Sequence, residues 1–139
     1  MIRTVLAFLL AVAIYFALTW LPTGFLGNLF MSMHAPDSVV GASRTAIDVA
    51  RDLAPGFFVG LFVSARPALL GGLASGLAAV IALVWVFSTS SLFFEPAEAV
   101  GSFVEQFFYG AVAGAAGAFM RAGLRANNSF KPKPLRGSA

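Results

Sequence analysis

The sequence predicts an all-α integral membrane protein: a four-transmembrane-helix bundle with a short amphipathic helix before the second span. Three observations lead there. Hydrophobic residues make up 59% of the chain and charged residues only 11%, whereas a soluble domain carries roughly 25% charged residues to cover its core. The apolar residues fall into blocks of bilayer width that are almost free of charge. Seven of the nine basic residues collect at the N-terminus, at one internal turn and in the tail after Met120, as membrane topology favours. A length of 139 residues favours one domain, read as a bundle over residues 1–126 and a basic, disordered tail over residues 127–139.

The first block, residues 4–21, reads TVLAFLLAVAIYFALTWL. At about 1.5 Å per residue it spans about 27 Å, close to the hydrocarbon thickness. Arg3 followed by an apolar run also resembles a secretory signal. The run is long for that role, however, and LTWLPTG offers no small-residue cleavage site, so an uncleaved helix is expected. Residues 22–36 mix Gly, Pro and Asn with Phe, Leu and Met, which suits a loop at the membrane surface. The single histidine, His34, falls there and suggests no metal site.

From Asp37 or Ser38, either a plausible helix cap, the pattern turns helical. Val39, Val40, Ala46, Ile47, Ala50, Leu53 and Ala54 share one face. Gly41, Arg44, Thr45, Asp48, Arg51 and Asp52 share the other. Pro55-Gly56 predicts a kink. The apolar part, residues 53–65, is too short to cross alone. A crossing helix ending at Arg66 must therefore begin near Ile47 and carry Asp48, Arg51 and Asp52 into the outer third of the membrane. A re-entrant segment, leaving three spans, is the alternative.

Arg66-Pro67 marks a tight turn. Residues 68–87 form a clean span in which Gly72 and Gly76 make a small-xxx-small face for close helix contact. Residues 88–98 read as a loop, with Glu95 and Glu98 flanking Pro96 at a helix start. The last span, residues 99–120, carries Gly110, Gly114 and Gly117 on neighbouring turns as helix-packing positions. The motif FFxG recurs at residues 57–60 and 107–110, a weak hint of duplicated hairpins.

Four spans put both termini on one side. That side receives Arg3, Arg66, Arg121, Arg125, Lys131, Lys133 and Arg136, while all six acids fall opposite with Arg44 and Arg51. The positive-inside rule then places both termini in the cytoplasm of a cell (inner) membrane. Arg51 precedes Arg66 by 15 residues and Glu105 precedes Arg121 by 16, so level helices would hold Arg51 and Glu105 at one height. Asp48, Arg51, Asp52 and Glu105 are therefore expected as an intramembrane charge cluster, paired because bare charge there is costly.

Nothing in the chain names a reaction. There is no cysteine, no HExxH, no GxSxG and no phosphate-binding glycine loop. No cofactor, metal or nucleic acid is expected. The expected role is a non-enzymatic membrane subunit or scaffold that packs through glycine faces, homo-oligomeric or held in a larger complex. Its basic tail would contact anionic lipid. A small channel, holin-like pore or transporter using the charged cluster is the alternative.

Overall fold

A computed structural model describes residues 2–20, 25–34, 36–90 and 95–129, with side chains described through Ala126. Its elements are α1 (Ile2–Trp20), α2 (Gly27–Ser32), α3 (Asp37–Phe62), α4 (Pro67–Thr89) and α5 (Pro96–Ser129), and no strand occurs among the described residues. Three helices are long and apolar enough to cross a membrane: Ile2–Trp20, Pro67–Thr89 and, within α5, Pro96–Ala126. The fourth long helix, α3, carries Asp48, Arg51 and Asp52 in its middle.

The packing fixes helix directions. Ala7 and Ala11 of α1 cluster with Val59 and Val63 of α3, while Tyr15, further along α1, lies beneath Arg51. These two helices are therefore antiparallel. The same α1 residues meet Ala74, and Tyr15 meets Ala78, Ala79 and Ala82, so α1 and α4 run parallel. Along α4, Gly71, Gly72 and Gly76 face Gly110, Phe107 and Phe103 of α5 in descending order, an antiparallel pair. Gly56 faces Gly110 and Gly60 faces Gly114, so α3 and α5 run parallel. The offset is 54 residues in both cases, as 110 − 56 and 114 − 60 give.

That arrangement sorts charge by end. Arg3, Arg121 and Arg125 line one groove. Arg66, in the α3–α4 turn, belongs to the same end. The acids lie towards the other end: Asp37, Asp48 and Asp52 from the start to the middle of α3, and Glu95, Glu98 and Glu105 just before α5 and in its first three turns. Arg121 also donates a hydrogen bond of 2.6 Å to the Val63 carbonyl, closing the C-terminus of α3 where no further helical N–H is present.

Several expectations change. The amphipathic segment is not a separate helix before the second span. It is continuous with the apolar segment that follows, in one helix of 26 residues, with Pro55 fully buried inside it. Proline removes only one backbone bond, that to the Arg51 carbonyl. Burial of Gly56, Val59 and Gly60 directly after it holds the axis together. The helix also stops at Phe62, short of Ala65, because Val63 is extended and Arg66 adopts the left-handed conformation (φ 48°, ψ 54°) ahead of Pro67. Proline at the first turn of α4 requires no donor and starts that helix.

At the N-terminus of α3, Pro36 occupies the cap position, and neither Asp37 nor Ser38 caps. The surface segment 22–36 includes helix α2, and residues 21–24 and 35 lie outside the described residues. Helix α4 continues through Thr89 and α5 begins at Pro96, so the loop expected over 88–98 is shorter; residues 91–94 lie outside the description. Helix α5 runs through Ser129, past the boundary expected at residue 126, and the tail from residue 130 lies outside the description.

Candidate functional site

The core of the bundle is made of backbone rather than large side chains. A Cβ placed on Gly71 would lie 2.6 Å from the Gly110 carbonyl oxygen, 3.1 Å from the Gly114 Cα and 3.1 Å from the Gly56 carbonyl oxygen. Helices α3, α4 and α5 therefore converge on one point with no side chain between them. Close approach of this kind is the use that small residues have between helices in lipid, where dispersion contacts replace the hydrophobic drive. Gly110 faces Ser75 and Gly71, Gly114 faces Pro67 and Gly71, and Gly117 faces Phe57, Gly60 and Leu61. Gly72 and Gly76 do something different. They seat the rings of Phe107 and Phe103, which stack at 6.1 Å between centroids, and Gly72 also abuts the Phe107 carbonyl oxygen.

Sequence reasoning missed Gly56 and Gly60 as contact points. The four-residue spacing that marks such a face is present in the sequence, but the Pro55-Gly56 pair reads there as a kink and not as a contact. The two FFxG motifs, 50 residues apart, sit four residues out of the packing register, since Gly60 meets Gly114 and Gly110 meets Gly56.

A polar layer sits above this junction, towards the acidic end. Arg51 bonds Asp48 through Nη1 at 3.1 Å and Asp52 through Nε at 3.1 Å, and its guanidinium lies 5.9 Å from the centre of the Tyr15 ring. Asp48 and Arg51 lie three apart on one helix face, so that pair is local. The contact from α3 to α5 is made by Gln106, whose Nε2 donates to Asp52 Oδ1 at 2.9 Å. One carboxylate oxygen thus accepts from both a guanidinium and an amide, which ties α3 to α5.

The register explains the partner. The 54-residue offset that aligns Gly56 with Gly110 also aligns Asp52 with Gln106, and Arg51 with Glu105. Arg51 and Glu105 are therefore level along the bundle, but among the described residues Glu105 makes no ion pair with Arg51. Successive helical residues point about 100° apart. It is Gln106 that turns inward, only 7% exposed, while Glu105 is exposed.

Tyr15, Arg51, Asp52, Ser102, Glu105 and Gln106 line a cleft of about 310 Å³ whose remaining wall is α4. A second cleft, of about 610 Å³, opens on the other side of Arg51 towards Thr19, Arg44 and Asp48. Within the first, Gln106 Oε1 is buried and accepts no hydrogen bond. An acceptor left dry is costly unless something meets it. Chemically the layer can bind a donor or exchange protons. Among the described residues no group of three His, Cys, Asp or Glu side chains is arranged to hold a metal ion.

Comparison with protein families, with curated proteins and with solved structures yields no match to this chain.

Proposed function

We propose that this chain is a non-enzymatic subunit or scaffold of the cell membrane that crosses the bilayer four times, with both termini in the cytoplasm. The observation that carries the reading is the convergence of α3, α4 and α5 at Gly71. Because α3 is in backbone contact with two helices that are themselves apolar enough to span, it accompanies them through the lipid despite its charges. Measured from Val63, which Arg121 holds level with the basic end, Arg51 stands about 18 Å up the helix and Asp48 about 22 Å. In a hydrocarbon layer of about 30 Å both fall in its outer half. There the ion pairs and the Gln106 bond supply the partners that bare charge would lack.

The convergence also closes the bundle axis beneath the polar layer. That supports a locked scaffold over a pore through a single copy. The wide apolar surface of the helices suits lipid, further copies of the chain, or a larger complex. The basic residues of the tail suit anionic lipid.

A second reading is favoured by one observation, the buried and unpartnered Oε1 of Gln106, a residue that lines a cleft together with Glu105. In that reading the polar layer is the outer vestibule of a channel, holin-like pore or transporter. Reconstitution into liposomes separates the two. A scaffold leaks neither ions nor dye above empty vesicles, and affinity purification from native membranes recovers stable companions or multiple copies. Flux that Glu105→Gln alters would replace the scaffold with the vestibule.

A further inference from the structure

At the end of the bundle away from the acids, α3 stops at Phe62 while α1 and α5 stand on either side of it. The notch left above the last turn of α3 is a groove of about 510 Å³. Its polar rim is Arg3, Arg121 and Arg125, and its walls include Leu6, Leu10 and Phe62, which are 59%, 43% and 57% exposed. No described Asp or Glu lies at this end, and no described ion pair involves any of the three arginines. Arg121 spends Nη1 on the Val63 carbonyl and keeps its other donors.

Three guanidinium groups from two helices, without a counterion, call for an anion with several acceptor oxygens. The planar guanidinium fork matches carboxylate and phosphate, and of the two phosphate has the larger number of acceptor oxygens to share among three arginines. The exposed apolar walls directly beneath call for hydrocarbon. A free phosphate would satisfy the rim and leave the walls bare; a neutral lipid would do the reverse. We propose that this groove binds one anionic phospholipid, with its phosphate on Arg3, Arg121 and Arg125 and an acyl chain along Leu6, Leu10 and Phe62. The proposal rests on the membrane reading above and adds to it a defined lipid site, separate from the basic tail.

The test is native mass spectrometry of the full chain released from detergent, titrated with phosphatidylglycerol, with phosphatidylcholine of the same chains, and with inorganic phosphate. Phosphatidylglycerol should be retained in preference to both. In the Arg3→Gln/Arg125→Gln variant, which leaves the Arg121–Val63 bond in place, its affinity should fall by about 30-fold, as loss of two basic contacts to a lipid headgroup implies. Arg66→Gln, at the same end but outside the groove, should leave it unchanged. Equal retention of the two lipids by the native chain would overturn the proposal, as would equal loss in the Arg66→Gln variant or binding of phosphate as strong as that of the lipid. An alkaline wash of the source membranes keeps the failures apart. Release of the chain would overturn the membrane reading together with the site, whereas a retained chain without lipid preference overturns the site alone.

Discussion

Glycine-to-alanine substitution should act in opposite directions at two sets of positions on the same helices. At Gly41, Gly101 and Gly123 a Cβ meets nothing within 4 Å. There alanine brings only its helix propensity, a gain of about 0.5–1 kcal/mol. At Gly56, Gly60, Gly110 and Gly114 the added carbon would fall on backbone: on Gly110, Gly114, Gly71 and Pro67 respectively, with Ser75 also in the way at Gly110. A carbonyl of a neighbouring helix cannot rotate aside, so the helices must separate. Overpacking of this kind costs about 1–3 kcal/mol, and the propensity gain offsets at most about 1 kcal/mol of it. The junction set should therefore lie below the open set by roughly 1–3 kcal/mol. In detergent that difference corresponds to a gap of several degrees in melting temperature. Gly76 should fall between, since the ring of Phe103 can yield, whereas Gly72 meets the Phe107 carbonyl oxygen at 2.7 Å and should behave as the junction set does. If alanine at Gly60 and Gly110 raised the melting temperature as alanine at Gly101 does, the backbone junction would not exist as described.

Two further outcomes follow from the polar layer and from the buried hydroxyl beside the junction. In double-mutant cycles read by thermal melting, Arg51→Ala with Asp52→Asn should show a coupling of about 0.5 kcal/mol or more. The coupling of Arg51→Ala with Glu105→Gln should be smaller, because Asp52 and not Glu105 takes the guanidinium; a reversed order would contradict the geometry. Ser75 Oγ is fully buried without a hydrogen-bond partner, so Ser75→Ala should match the native melting temperature or exceed it. A loss of several degrees would mean that the hydroxyl is satisfied.

How far these features could be read from residues alone depends on what each signal measures. The apolar blocks of α1, α4 and α5 are legible because length and composition are one-dimensional properties. The continuity of α3 is legible only in part. A helix through Pro55 from near Ile47 is expected, but its union with the amphipathic segment from Asp37 is not, because the burial of Gly56, Val59 and Gly60 that steadies the helix past Pro55 is tertiary. Counting from the charged helix ends gave the height of Glu105 and Arg51, and the 54-residue register puts them level. A count along a helix gives no rotation, however, and the next residue, Gln106, points inward instead. A search for charge also passes over a neutral amide. The groove at Arg3, Arg121 and Arg125 joins residues from opposite ends of the chain, and only the antiparallel placement of α1 against α3 and its parallel neighbour α5 reveals it.

The passage of α3 through the membrane is the proposition on which the topology, the polar layer and the lipid groove all depend. The chain contains no cysteine, so single cysteines report without background. Ser38→Cys and Ser64→Cys sit at exposed positions at the two ends of α3. A membrane-impermeant maleimide added to intact cells should label Ser38→Cys and leave Ser64→Cys untouched until the membrane is opened. Labelling of both from the same side would mean that α3 does not cross.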